Sequence, residues 1–87
     1  MKAQILKMEE RQGVGKTSGK PYNGYFVNFL YVDGYGDLVI EKSFFDKSLC
    51  ASVLPVDTMV DVTTAFRSSR VERVEILPNE PPIILRA

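Results

Sequence analysis

The sequence predicts an all-β domain, and three observations carry that prediction. Residues 22–32 are dense in aromatic and β-branched side chains, which fit a pleated, half-buried surface. Clusters rich in glycine, proline and small polar residues recur at short intervals and cut the chain into strand-length pieces. The only stretch with a helix-start signal, Asp46 followed by residues 47–53, is too short for more than a turn or two.

Taken in order, residues 2–10 alternate partly, with Ala3 and Ile5 on one side and Leu6 and Met8 on the other. That pattern predicts a first strand with a bulge near its middle. A helix over the same residues would lack a cap and run into a glycine-rich stretch. Residues 12–21 read as a loop, since three glycines, a proline and small polar residues cannot hold a buried strand.

The second strand, residues 22–32, is apolar on both faces: Tyr25, Val27, Phe29 and Tyr31 alternate with Phe26, Leu30 and Val32. A surface antiparallel strand shows one polar face. This one calls for the core on one side and a ligand or second subunit on the other. Asp33-Gly34-Tyr35-Gly36-Asp37 is a tight turn with glycines free to take positive φ, so residues 38–45 form a third strand and a hairpin with the second. A short helical turn with Asp46 as N-cap is expected next. Pro55 and Asp57 introduce a fourth strand, residues 58–66, in which Val60, Val62, Thr64 and Phe66 alternate with Asp61, Thr63 and Ala65. Arg67-Ser68-Ser69-Arg70 then turns the chain into a fifth strand, residues 71–77.

Five strands with helical material only between the third and fourth match a five-stranded OB-type Greek-key barrel. The SH3-like barrels, the main competitor, usually end in a short helical turn near the last strand, and none is visible here. The expected organisation is a barrel over residues 1–78 and an extended tail over residues 79–87.

Composition narrows the function. The chain has 87 residues, room for one modest core, so self-association is the expected route to stability. A single cysteine, Cys50, excludes an intrachain disulfide, and with no histidine a zinc site of the usual type is excluded too. Cys50 lies among Leu49, Ala51 and Val53 and reads as a packed side chain. Without histidine the commonest general base is missing, and the carboxylates are scattered, so no enzyme and no cofactor are expected. Residues 13–17 superficially resemble a phosphate loop, but the glycine spacing is wrong and no helix follows. The N-terminus lacks the apolar run of a signal peptide and no segment is long enough to span a membrane, so a cytoplasmic location is expected.

Formal net charge is zero, yet the charges are segregated. Arg11, Lys16 and Lys20 fall in a segment with no acid; Arg67, Arg70 and Arg73 form a second basic group interrupted only by Glu72. Unspecific single-strand binders combine such basic tracks with aromatic faces on which bases stack. Lys16 and Lys20 immediately precede Tyr22, while Tyr31 and Tyr35 flank the next turn. Against this, Phe26, Phe29, Phe44 and Phe45 read as core or dimer-interface residues, and Arg67 and Arg70 can be solvated hairpin charges.

The motif Gly19-Lys20-Pro21-Tyr22, preceded by a glycine-rich basic loop and followed by Tyr31-Val32-Asp33, resembles the gene V helix-destabilising proteins of filamentous bacteriophages. The resemblance implies an OB-fold homodimer, or a higher homo-oligomer, that coats single-stranded DNA with little sequence preference in phage or plasmid DNA replication. Single-stranded RNA is the alternative nucleic-acid partner. The residues implied in contact are Arg11, Lys16, Lys20, Tyr22 and Tyr31, with Tyr35; the basic hairpin adds Arg67 and Arg70. The tail, with its apolar Ile83-Ile84-Leu85, has no counterpart in that family and is suited to add to a neighbouring subunit's sheet edge. The competing function is a small β-barrel assembly module that binds no nucleic acid.

Overall fold

A computed structural model describes residues 1–65 and 70–85. Strands β1 (Lys2–Val14), β2 (Pro21–Val32), β3 (Leu38–Asp46), β4 (Met59–Thr64) and β5 (Val71–Ile76) form one antiparallel sheet in the order β3-β2-β1-β4-β5. Strands β1 to β3 are a meander, and β4 returns to lie beside β1, which is Greek-key connectivity. The sheet curls until its two edges, β3 and β5, come close to each other. No ladder joins them among the described residues, so the sheet is not closed.

The partial alternation of residues 2–10 has the expected cause. The β1–β2 register shifts between Ile5 and Lys7, and this bulge corrects the expected sides: Met8 joins Ala3 and Ile5 on the inner face instead of lying with Leu6 on the other. The chain before β4 docks onto this bulge: Asp57 N–H donates to Ile5 O at 2.7 Å, and Ile5 N–H donates to Thr58 O at 2.9 Å. Asp57 takes a φ of 71° there, a conformation unusual for a residue with a side chain.

The core lies on the concave side, where Ile5, Tyr25, Phe29, Phe45, Val60 and Val62 are almost wholly inaccessible. Burying one such apolar side chain stabilises by roughly 1.5–3 kcal/mol. The predicted alternation of β4 holds through Val60, Val62 and Thr63 but not at Thr64, which is exposed where the β4–β5 register shifts between Thr63 and Thr64.

Two expectations need correction. The helical turn between β3 and β4 is absent, and no helix occurs among the described residues. Asp46 Oδ1 instead accepts from Ser48 N–H at 3.0 Å and from Ser48 Oγ–H at 2.8 Å, closing a local turn. Short polar side chains of this kind offer the backbone partners that compete with helix. The segment then runs in turns and bends that bury Cys50 and Leu54 against the core. Cys50 Sγ donates to Ser52 O at 3.2 Å, which fits its expected packed role.

The second correction concerns residues 12–21. Composition argued for a loop throughout, but β1 continues to Val14 and β2 begins at Pro21. The objection was to a buried strand, and this part is a two-stranded ribbon exposed along its length. Only residues 15–20 turn, closed by Gly15 N–H to Lys20 O and Gly19 N–H to Gly15 O, both 2.9 Å, with Gly19 at φ 67°.

The tail does not run free from the sheet. Leu77 N–H donates to Met59 O at 2.9 Å, Lys2 Nζ meets Glu80 Oε1 at 3.0 Å, and Gln4 holds the backbone of Ile84. It returns over the convex face of its own chain, where Leu30 and Met59 are buried. The half-buried Ile83 and Ile84 are occupied within this chain.

Candidate nucleic-acid interface

The double apolar pattern of β2 resolves into two surfaces. Tyr25, Val27 and Phe29 face the core and are buried. On the convex face Leu30 is buried beside the tail, but Phe26 is 48% exposed and Tyr22 36% exposed. Register builds the rest of that face, because directly opposed residues in an antiparallel ladder share a side. Gly13 lies opposite Tyr22, Arg11 opposite Gly24, Glu9 opposite Phe26, and Lys7 opposite Asn28. On the other flank Phe44 pairs with Phe26 and Lys42 with Asn28.

Tyr22, Phe26 and Phe44 thereby meet on the surface. Phe26 and Phe44 stand 5.6 Å apart at 64°, Tyr22 meets Phe44 edge-on at 5.9 Å and 89°, and Tyr22 and Phe26 tilt at 44° over 6.4 Å. The three rings alone line a shallow notch of about 160 Å³. A second hollow, about 210 Å³, adjoins it and is lined by Lys7, Glu9, Phe26, Asn28 and Lys42.

Charge on this face is mixed. Glu9 Oε2 meets Arg11 Nη2 at 3.1 Å, and Glu9 Oε1 meets Lys7 Nζ at 3.4 Å. The Arg11 hydrogen bond, followed by that of Lys7, holds the Glu9 carboxyl below the usual range, so it is a fixed anion between two cations. Asp46 is likewise lowered, first by the Ser48 backbone hydrogen bond and then by the Ser48 hydroxyl.

The residues singled out in the sequence divide by position. Arg11 and Tyr22 belong to the convex face, and Lys16 and Lys20 sit in the hairpin turn just beyond Tyr22, both exposed. Arg70 reaches the region from the other edge of the sheet. It lines a cavity of about 290 Å³ with Glu41, Lys42, Ser43, Phe44 and Val71, and also meets Glu72 at 3.4 Å. Arg67 and Phe66 lie outside the described residues. Tyr31 is on the other side of β2, packed at 6.0 Å against Phe29, with its hydroxyl donating to Glu41 Oε1 at 2.9 Å. Tyr35 is 92% exposed at the tip of the β2–β3 turn, the opposite end of β2 from Tyr22. Neither Tyr31 nor Tyr35 joins the three-ring cluster.

Phe26, Phe44, Lys7 and Lys42 belong to this face and were read otherwise or passed over in the sequence. A signal for them exists. The turn Asp33–Asp37 sets Val32 opposite Leu38, and counting back along both strands brings Phe44 opposite Phe26. Phe45, one residue on, goes to the core.

Among the described residues no group of His, Cys, Asp and Glu could hold a metal ion, and no helix is long and apolar enough to cross a membrane. Comparison with family models, curated proteins and solved structures returns no match for this chain.

Proposed function

We propose that this chain is a non-catalytic binding protein for single-stranded nucleic acid, DNA in the first place, with the convex face of β1–β2–β3 as its interface. The observation that carries the reading is the surface cluster of Tyr22 and Phe26, both exposed, and half-buried Phe44, flanked by Arg11, Lys7 and Lys42. Two exposed rings and a half-buried third make an apolar patch that a partner can cover. Bases supply that cover in any sequence because each has a π-face, and neighbouring cations follow the phosphates. Lys16 and Lys20 extend the basic track beyond Tyr22, and Arg70 adds a cation near Phe44.

An OB-type barrel is the fold reading that suits this function. Greek-key order, pairing of β1 with β4 and the approach of β3 to β5 support it, since OB barrels are partly open. The resemblance at Gly19-Lys20-Pro21-Tyr22 supports the same reading, and with it a homodimer or higher oligomer acting in phage or plasmid DNA replication in a host cytoplasm.

One observation favours the second reading, an assembly module. Val32, Leu38 and Ile40 continue the convex face as exposed aliphatic side chains that no base needs. Titration with single-stranded and duplex DNA at two salt concentrations separates the two. Salt-sensitive binding to the single strand, with quenching of tyrosine fluorescence, is expected. Absence of salt-sensitive binding to any single strand ends the nucleic-acid reading and leaves the assembly module.

A further inference from the structure

We infer that Gly13 is the positioning residue of the three-ring notch, and that the ligand the notch takes is one unpaired nucleobase. The inference rests on the single-strand reading and deepens it. Gly13 is the cross-strand partner of Tyr22. A Cβ at Gly13 would stand 2.9 Å from Tyr22 Oη, 3.1 Å from Cζ and 3.4 Å from Cε1. The phenol ring therefore occupies the space that any side chain at position 13 would fill.

Backbone conformation does not ask for glycine at this site. Positive φ among the glycines is confined to Gly19 and Gly36. The need at Gly13 is for room, and what uses the room is Tyr22. Gly24, in the next row of the same face, repeats the arrangement: a Cβ there would stand 2.7 Å from Phe44 Cζ and would also strike Phe45 O. Two of the three rings thus lean over glycines. Gly13 is the informative one, because only a flexible ring must yield there, whereas at Gly24 the β2–β3 backbone must.

Ring orientation sets the ligand. A series of bases stacked in succession needs parallel faces, but Phe44 meets Tyr22 at 89° and Phe26 at 64°. The rings form walls of a notch, not a flat platform. One planar base can lie in the open mouth of such a notch, with its neighbours held through their phosphates. A methyl group at position 13 pushes the Tyr22 ring off β1 and changes the shape of the notch without touching a core residue.

The test is a double-mutant cycle on the full chain: wild type, Gly13→Ala, Tyr22→Ala and the double variant. Affinity is measured for three labelled strands: oligo(dT), a fully abasic strand, and an abasic strand carrying one thymine. Gly13→Ala is expected to weaken oligo(dT) binding roughly fivefold or more, since a stacked base contributes ~1–3 kcal/mol. In the Tyr22→Ala background the same change should cost nothing, because its only route of action has gone. The single-thymine strand should keep the penalty and the fully abasic strand should lose it.

Two results overturn the proposal while leaving single-strand binding in place. One is wild-type affinity in Gly13→Ala; the other is an equal penalty in both backgrounds. A wild-type chain that binds none of the strands overturns the reading beneath it as well. A ligand-free measurement covers the case in which Gly13→Ala folds poorly. The Gly13 Hα protons should resonate upfield under the ring in wild type and return toward ordinary values in Tyr22→Leu; unshifted protons in wild type refute the ring placement.

Discussion

Gln4 grips the backbone of Ile84 from 80 positions away: its Nε2 donates to Ile84 O at 3.0 Å and its Oε1 accepts from Ile84 N–H at 2.9 Å. Nε2 also donates to Asp57 Oδ1 at 2.8 Å. The side chain is inaccessible to solvent, and its amide does for the tail what a strand backbone does for a neighbouring strand. It stands in register between Leu30 on β2 and Met59 on β4, both buried. One polar side chain in an otherwise apolar row thus anchors the end of the tail, beyond the Leu77–Met59 and Lys2–Glu80 contacts.

Replacing Gln4 by Ala should therefore release the tail and destabilise the fold. The loss is expected at about 1–3 kcal/mol, the cost of leaving buried partners such as Ile84 O and N–H unmade. Hydrogen exchange at the Ile84 amide should accelerate more than exchange at the buried strands. Uniform acceleration would show that Gln4 supports the sheet and not the tail in particular.

Phe26→Ala and Phe44→Ala test the interface directly. Phe26 is half exposed, so its removal should cost little stability yet weaken single-strand binding by ~1–3 kcal/mol. Phe44 is more covered and should show both effects. Melting temperature and oligo(dT) affinity, measured on the same samples, separate them. Unchanged affinity in Phe26→Ala would move the binding surface elsewhere.

Glu9 is an anion in the middle of the proposed interface, paired to Lys7 and Arg11. Glu9→Gln should tighten binding and steepen its salt dependence, because two cations become available to phosphates. Protonation should act in the same direction. Since the folded carboxyl is held below its usual value of 4.5, its contribution to stability is present above that value and is lost as pH falls through the folded one. Affinity should accordingly rise over the same acidic range in wild type and not in Glu9→Gln.

Much of the fold was legible because it depends on local pattern. The Ile5–Lys7 bulge shows as broken alternation, the Asp33–Asp37 turn as paired glycines and aspartates, and the inward Val60 and Val62 as a local period of two that ends at Thr63. The missing helical turn was not legible, since Asp46 and Ser48 serve an N-cap and an isolated turn equally well. The interface was only half legible. Phenylalanine ordinarily marks a core, and adjacent Phe44 and Phe45 are told apart only by register, which places one on each side of the sheet. The tail's return was invisible, because nothing in a glutamine at position 4 announces a partner at position 84.

Tyr25 carries a buried hydroxyl with no hydrogen-bond partner among the described residues. Its ring sits in the core beside Phe45, its partner in the ladder. Tyr25→Phe should keep the ring and remove an unpaired polar group, so stability should stay level or rise by about 1 kcal/mol. A loss of that size in thermal or denaturant unfolding would show that the hydroxyl has a partner in solution.

Tyr31 sets the resemblance and the geometry against each other. The phage-protein resemblance implies that it contacts DNA, but its ring lies on the opposite side of β2 from Tyr22 and packs on Phe29. Its hydroxyl is engaged by Glu41, and that hydrogen bond is the main reason the phenol titrates above the usual tyrosine value. Such a raised folded value stabilises fully below the unfolded pKa of about 10, and the effect is lost as pH climbs through the folded one. Tyr31→Phe removes the hydroxyl and keeps the ring. It should remove one of the four tyrosine titrations, the raised one, while leaving oligo(dT) affinity within about 0.5 kcal/mol of wild type. Tyr31→Ala should then destabilise the fold through lost packing more than it weakens binding. A binding loss in Tyr31→Phe matching that of Tyr22→Ala would place the nucleic acid along the β3–β5 seam, where Tyr31, Glu41 and Thr64 line a cavity of about 250 Å³.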